Sequence, residues 1–178
     1  MNHEIQTILS AATFAAERHS NHRRKGGEPY INHLVEVAYL VSTALSEPDA
    51  NVVAAAFLHD NIEDVGVTAA ELTERFGQDV TDLVLEVTDD KSLPKDERKR
   101  LQIEHAPKLS VRAQVIKLAD KISNLRSIIS SPPPDWDHER KKRYFDWGKS
   151  VVDGLSAPNQ ILKAEFEKTY QRFGQVRM

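Results

Sequence analysis

The sequence contains no cysteine, no long apolar run and no excess of basic residues. Without cysteine, disulfides, thiolate metal ligands and a cysteine nucleophile are all excluded. No apolar stretch approaches the roughly 18 residues of a membrane span, and the N-terminus does not resemble a secretion signal, so we expect a cytoplasmic protein with no membrane partner. A net charge of −3 argues against a general nucleic-acid binder, because such proteins are usually basic.

Apolar residues make up 40% of the 178 residues, which is enough for one sizeable core in a single domain over residues 1–178. Their spacing is helical almost everywhere, and no segment alternates with period two for long enough to predict a strand. The sequence therefore predicts an all-α bundle of about eight or nine helices. The third of these is predicted to run without a break from Val52 to Glu63, with polar residues at its C-terminal end. A capping box of Thr68 and Glu71 is predicted to begin a later short helix. A long helix with regularly spaced apolar residues is predicted from about Ser110 to Ile129, ended by the three consecutive prolines of segment 130–135.

Four dispersed polar residues stand out from this apolar pattern: His33, His59, Asp60 and Asp120. Two imidazoles and two carboxylates can bind one divalent metal and leave positions for water and a phosphate oxygen. Oxygen-rich ligation without sulfur favours one Mn²⁺ ion, although Zn²⁺ or Ni²⁺ can bind more tightly. The leading prediction is therefore a metal-dependent phosphohydrolase.

Each of these residues also has a simpler explanation. A histidine such as His33 is, taken alone, more often a core residue bonded to a backbone carbonyl, and a His-Asp pair often faces water at a helix end. Asp120 lies among apolar residues of a long helix, where its burial is costly unless a cation or hydrogen-bond donors accept it. The alternative for Asp120 is a surface ion pair with Lys117 or Lys121.

An acidic pair, Glu63 and Asp64, follows His59-Asp60 closely. We predict that these carboxylates orient and deprotonate the attacking water and protonate the leaving group. The alternative is a helix end made acidic for solubility, which the helix dipole disfavours.

A phosphate substrate needs positive charge near these acids. Arg24 and Lys25 precede a Gly-Gly-Glu-Pro-Tyr turn that leads to His33, so they are predicted to lie beside the metal, although such a run is often a solvated loop. A second basic cluster in segment 95–100, made of Lys95, Arg98, Lys99 and Arg100, is predicted to decorate a surface helix, with Lys95 the member closest to the loop. Asn124 is predicted to contact a base or sugar edge, and Tyr144 either to stack on a base or to belong to the core.

Five ordered segments carry a family resemblance: RRKGGEPYINH (23–33), AAFLHDNIED (55–64), VTDDKSLPK (87–95), KLADKISNL (117–125) and YFDW (144–147). Together they resemble the HD-domain hydrolases of guanosine tetraphosphate and pentaphosphate in the RelA/SpoT superfamily. Within it, the chain looks most like the single-domain small alarmone hydrolases of the metazoan SpoT homologue type. The resemblance covers essentially the whole chain.

This resemblance implies that His33, His59, Asp60 and Asp120 bind Mn²⁺ and that Glu63 with Asp64 serve the attacking water. It also implies a set of substrate-binding residues: Arg24, Lys25, Lys95, Asn124, Arg140 and Tyr144. The implied reaction removes the 3′-pyrophosphate of (p)ppGpp and yields GDP or GTP plus pyrophosphate, which degrades the stringent-response alarmone. These 178 residues contain no segment that we assign to a synthetase domain, so we expect this protein only to degrade the signal, and the oligomeric state stays open.

Three other functions compete with this one. Another HD phosphohydrolase, acting on the 2′-phosphate of NADPH or on a nucleoside monophosphate, would share the metal ligands and differ only in pocket contacts. A helical binding module without activity is a second alternative. An HD-type di-iron oxygenase is a third, but it needs further histidines near the His-Asp pair.

Overall fold

The computed structural model describes residues 3–47 and 49–175 of the chain. This part folds into ten α-helices and a 3₁₀ turn at Ala106–Lys108: α1 His3–Arg18, α2 Ile31–Ala44, α3 Ala50–Leu58, α4 Asn61–Val65, α5 Ala69–Phe76, α6 Gln78–Val87, α7 Lys95–His105, α8 Val111–Ser130, α9 His138–Asp153 and α10 Gln160–Gln175. The only β-type pairing among the described residues is one isolated bridge between Arg23 and Pro29. The predicted all-α class is confirmed, and none of the described helices is both long and apolar enough to cross a membrane.

Side-chain caps set where several helices begin. Each capping oxygen accepts a hydrogen bond from the backbone N–H three residues later, which satisfies one of the free donors at a helix start. The caps are Asp49 at α3, Thr68 at α5, Ser110 at α8 and Asp137 at α9. The predicted cap at Thr68 is among them, and α8 ends at Ser130, just before three consecutive prolines.

Helix α8 runs through the centre of the protein and packs against α2, α3, α6, α9 and α10. Its buried residues include the expected apolar set and also a polar group near its middle: Lys117, Asp120, Lys121 and Ser123. Because buried polar groups are costly unless they are paired, this stretch marks the part of α8 that faces a polar site.

The predicted third helix is divided in two. Helix α3 ends at Leu58, and Asp60 adopts φ −100° and ψ 1°, which interrupts the helix before α4 begins at Asn61. The predicted continuous helix from Val52 to Glu63 is therefore wrong, and this break adds one helix to the predicted number. Glu63 lies in the separate five-residue helix α4, which ends at Gly66 in the left-handed conformation with φ 71°.

Candidate metal centre

Three parts of the fold bring the four predicted metal ligands together. His33 lies in the first turn of α2, His59 and Asp60 form the break between α3 and α4, and Asp120 lies in the middle of α8. His33 Nε2 is 3.5 Å from Asp60 Oδ2 and 3.4 Å from Asp120 Oδ1. His59 Nε2 is 3.2 Å and 3.7 Å from the same two oxygens. The ligand atoms of His33, His59 and Asp60 all lie within 4.8 Å of one another.

The donor chemistry of His59 fits a cation at this point. Its Nδ1 lies 2.8 Å from the carbonyl oxygen of Ala56, which can only accept, so Nδ1 carries a hydrogen and Nε2 faces the carboxylates. That Nε2 is buried and has no hydrogen-bond partner. Ligands bound about 2.1 Å from one ion at right angles would be ~3 Å apart, close to the observed spacing. The residues present therefore fit one divalent cation.

The pKa shifts of His59, Asp60 and Asp120 also favour a cation at this point. Burial by itself lowers the pKa of His59, but Asp60 and Asp120 outweigh it and raise this pKa to about 10. Burial opposes ionisation of the two carboxyls, yet the imidazoles lower the pKa of Asp60 well below its usual value, and Lys121 with the imidazoles does so for Asp120. The cluster thus stabilises positive charge between its members, where a metal ion competes with protons.

Further side chains hold the two carboxylates in place. The Tyr30 hydroxyl donates to Asp60 Oδ2 at 2.6 Å. Asp120 Oδ2 accepts from Lys121 Nζ at 3.1 Å, and Lys121 Nζ also lies 4.4 Å from the centre of the Trp147 ring. The alternative explanation for Asp120 was a surface ion pair with a neighbouring lysine. Asp120 does pair with Lys121, but this ion pair is buried, and Asp120 Oδ1 still faces both imidazoles.

Glu63 and Asp64 line a cavity of about 160 Å³ that His59, Asp60 and Asp120 also line. Glu63 Oε2 accepts a hydrogen bond from the backbone N–H of Asp89 at 3.2 Å, and Lys91 forms an ion pair with Asp64. Burial, together with the charges of Asp60 and Asp89, raises the pKa of Glu63 to about 7. A carboxyl group with a pKa near neutrality can both accept and return a proton, which suits the predicted role of Glu63.

The basic loop between α1 and α2 reaches the edge of this cavity. Arg24 Nη2 donates to Asn124 Oδ1 at 2.6 Å, and Asn124 Nδ2 in turn donates to Asp120 Oδ1. Asn124 therefore joins the loop to the candidate metal ligand, with both ends of its amide in use. The loop also packs closely on the end of α8, since a Cβ at Gly26 would lie 2.2 Å from the carbonyl oxygen of Ser131.

A second cavity of about 370 Å³ adjoins the first, and Tyr30, Asp64, Asn124 and Tyr144 line both. Lys25 Nζ and the Arg140 guanidinium lie 5.5 Å and 4.7 Å from the centre of the Trp136 ring. Burial lowers the pKa of Lys25, and the nearby charges of Lys95 and Arg140 lower it further. Four of the six residues predicted to bind substrate, Arg24, Lys25, Asn124 and Tyr144, line these two cavities. Lys95 and Arg140 line neither cavity but lie close enough to Lys25 to lower its pKa.

The structure adds residues that the sequence analysis did not assign to the site. Arg98 Nη1 lies 3.5 Å from Glu63 Oε1, and Lys99 Nζ lies 5.1 Å from the centre of the Tyr144 ring. The prediction that the basic cluster of segment 95–100 decorates a surface helix did not include these two contacts. Helix α7 has no buried residue, and Leu101 and Ile103 are the only apolar residues in its sequence KDERKRLQIEH. This scarcity of apolar residues is the sequence signal that the inner face of the helix is polar. The other additions are Tyr30, Lys121, Trp136 and Trp147.

Comparison with known proteins identifies the family. The HD domain profile matches residues 11–145. The chain is 47% identical over 176 residues to guanosine-3′,5′-bis(diphosphate) 3′-pyrophosphohydrolase MESH1 of Xenopus tropicalis and 44% identical to MESH1 of Homo sapiens, with 98% of each chain covered in both cases.

Solved structures agree with this assignment. A metazoan orthologue of SpoT, described as hydrolysing ppGpp, matches with a TM-score of 0.89 and 42% identity over 96% of this chain and 97% of that one. A protein of Listeria monocytogenes EGD-e matches with a TM-score of 0.67 and 28% identity over 80% of this chain and 99% of that one. The family resemblance carried by the five sequence segments is therefore confirmed, and the chain belongs to the HD-domain family, within its MESH1 group.

Proposed function

We propose that this chain hydrolyses the 3′-pyrophosphate of guanosine tetraphosphate and pentaphosphate, releasing pyrophosphate and GDP or GTP, and that it does so as one HD-type domain in the cytoplasm. The observation that carries the proposal is the convergence of two imidazoles and two carboxylates beside Glu63 and beneath a basic opening. The choice of substrate is supported by the relatives named guanosine-3′,5′-bis(diphosphate) 3′-pyrophosphohydrolase, which match 98% of the chain.

The proposed metal is a single Mn²⁺ ion held by His33, His59, Asp60 and Asp120. When bound, such an ion acidifies a water molecule and polarises a phosphate oxygen. Glu63 accepts a proton from the attacking water, for which its raised pKa is suited. Asp64, held by Lys91, orients that water, and Glu63 returns the proton to the leaving 3′-oxygen of the ribose.

The substrate carries two diphosphate groups at opposite sides of its ribose, so its site needs positive charge in two places. The proposed contacts for the phosphates fall into two groups. Arg24 is linked to the candidate metal ligand Asp120 through the side chain of Asn124. The second group lies farther from the candidate metal centre and consists of Lys25, Lys95 and Arg140. Tyr144, tilted between the rings of Trp136 and Trp147, offers an aromatic face for the base. Asn124 would contribute by holding Arg24 and by bordering the ribose.

The test is product analysis with chelator-treated protein reloaded with Mn²⁺, Mg²⁺ or Zn²⁺. The panel contains guanosine tetraphosphate, guanosine pentaphosphate, NADPH and a nucleoside monophosphate. We expect pyrophosphate and GDP from the tetraphosphate with Mn²⁺, and no turnover without metal. Release of orthophosphate alone, or turnover of NADPH only, would overturn the proposed reaction.

The matched control in this experiment is Asp60→Ala, prepared in parallel. Equal turnover by the parent and this variant would mean that a contaminant or another site does the chemistry. No turnover of any nucleotide by a metal-loaded parent would favour a binding module instead.

A further inference from the structure

A chain of hydrogen bonds behind the candidate metal centre ends on His33. His33 Nδ1 lies 2.8 Å from Ser123 Oγ, and the Ser123 hydroxyl donates to Glu36 Oε2 at 2.6 Å. Arg126 then bridges two carboxylates, donating to Glu36 at 2.8 Å and to Glu165 at 2.5 Å. These hydrogen bonds therefore connect His33 on α2 to Ser123 on α8, Ser123 back to Glu36 on α2, and Glu36 through Arg126 of α8 to Glu165 on α10.

The direction of each hydrogen bond follows from what each group can do. An ionised carboxylate only accepts, so the short Ser123–Glu36 contact requires Ser123 to give its hydrogen to Glu36. The remaining capacity of Ser123 Oγ is as an acceptor, so His33 Nδ1 must carry the hydrogen between them. His33 Nε2 then presents a lone pair towards Asp60 and Asp120, which is the form that binds a metal.

We infer that Ser123 and Glu36 are positioning residues that select this tautomer of His33, and that Arg126 holds Glu36 in the orientation that the selection needs. This inference rests on the metal site proposed above. Ser123 and Glu36 touch neither the reacting atoms nor the substrate opening; they act through His33.

The burial of the groups separates this role from a purely structural one. The His33 side chain is 1% exposed, so an Nδ1 hydrogen without a partner there would be costly. Glu36 and Arg126 are about one-third exposed, and ion pairs at such positions contribute little to stability. Loss of Glu36 should therefore change metal affinity much more than it changes the melting temperature.

The principal test compares Ser123→Ala with the parent. Without Ser123 Oγ, His33 is better paired when Nε2 carries the hydrogen and donates to a carboxylate, which competes directly with metal binding. We expect the affinity for Mn²⁺, measured by equilibrium dialysis, to fall about 10- to 100-fold, the usual range for loss of such a partner. Ser130→Ala is the matched control, because Ser130 lies on the same helix, is exposed and bonds only within α8.

A second variant, Glu36→Gln, tests the proton directions without emptying a buried position. Arg126 can only donate, so the amide oxygen of the introduced side chain would face Arg126 and its NH₂ group would face Ser123. The Ser123 hydroxyl is then free to donate to His33 Nδ1. We expect a smaller loss of metal affinity than in Ser123→Ala and a nearly unchanged melting temperature.

A spectroscopic readout reports the tautomer itself. In ¹⁵N-histidine-labelled, metal-free protein at a pH where the His33 ring is neutral, long-range ¹H–¹⁵N spectra distinguish hydrogen on Nδ1 from hydrogen on Nε2. We expect the Nδ1–H form in the parent and in Ser130→Ala, and the Nε2–H form in Ser123→Ala. An Nδ1–H signal in Ser123→Ala, or metal affinity within twofold of the parent, would overturn the inference. Absence of metal binding in the parent would instead overturn the proposed metal site.

Discussion

Replacing Asp120 by alanine removes three interactions at once: its approach to both imidazoles, its ion pair with Lys121 and the hydrogen bond that it accepts from Asn124. The side chains of Asp120 and Lys121 are 12% and 4% exposed, so the pair is buried. Removing one partner of a buried pair costs about 3–5 kcal/mol because the other charge stays buried, whereas replacing both partners by apolar groups is often nearly neutral. In metal-free protein we therefore expect Asp120→Ala to lose about 3 kcal/mol of unfolding free energy and Asp120→Ala/Lys121→Met to recover most of it.

Metal binding separates the two roles of Asp120. A ligand at a concentration 100 times its Kd stabilises the folded state by about 2.7 kcal/mol. At roughly 2–4 °C per kcal/mol for a domain of this size, Mn²⁺ should raise the melting temperature of the parent by about 5–11 °C. Neither the single nor the double variant should show this rise, although the double variant regains stability.

The assay is thermal and urea unfolding of chelator-treated protein with and without added Mn²⁺. Asp153→Ala is the matched control, because Asp153 forms an exposed ion pair with Lys149 on the surface of α9 and should change both quantities little. A full metal-dependent rise in Asp120→Ala would show that Asp120 is not a ligand. A double variant no more stable than Asp120→Ala would refute the ion-pair reasoning.

Three further outcomes are expected. Glu63→Gln should lower kcat by about 10²- to 10⁴-fold with metal affinity changed less than a few-fold in a dialysis experiment, and full activity would contradict its role as a base. In the parent, kcat/KM should rise with pH through about 7 or slightly lower, because protonated Glu63 cannot accept a proton below its raised pKa and a bound cation shifts that pKa down; a profile that falls over this range would argue against Glu63. Lys25→Ala should raise the KM for guanosine tetraphosphate about 10-fold with kcat nearly unchanged. Gly26→Ala should have the same effect, because the added Cβ displaces the loop from Ser131. The control Lys108→Ala, at an exposed position, should leave the steady-state kinetics unaltered.

Much of the fold was predictable because it depends on contacts between near neighbours in the chain. Helical spacing of apolar residues predicted the all-α class, and the cap at Thr68 and the prolines after Ser130 marked helix ends that the structure reproduces. The break after Leu58 was not predictable in this way, because the apolar pattern continues past it. It is stabilised by what His59 and Asp60 meet on α2 and α8, residues distant in sequence.

The candidate metal centre was likewise only partly predictable from the sequence. Residue types alone indicated His33, His59, Asp60 and Asp120 as candidate metal ligands, since polar groups amid apolar helices need a partner or a cation. Their pairing partners stayed hidden, as the bond from Tyr30 to Asp60 and the ion pair of Lys121 with Asp120 illustrate.

The sequence by itself determined the all-α class, the absence of thiol chemistry and the presence of two imidazoles and several carboxylates with basic residues nearby. Only the tertiary structure decided which of these groups face one another at 3.2–3.7 Å, which nitrogen of each imidazole is free, and that α7 presents Arg98 and Lys99 to the site. The physical reason is range: helix formation and capping depend on residues a few positions apart, whereas the orientation of a ligand depends on hydrogen bonds between helices, such as that from His33 to Ser123, 90 positions later.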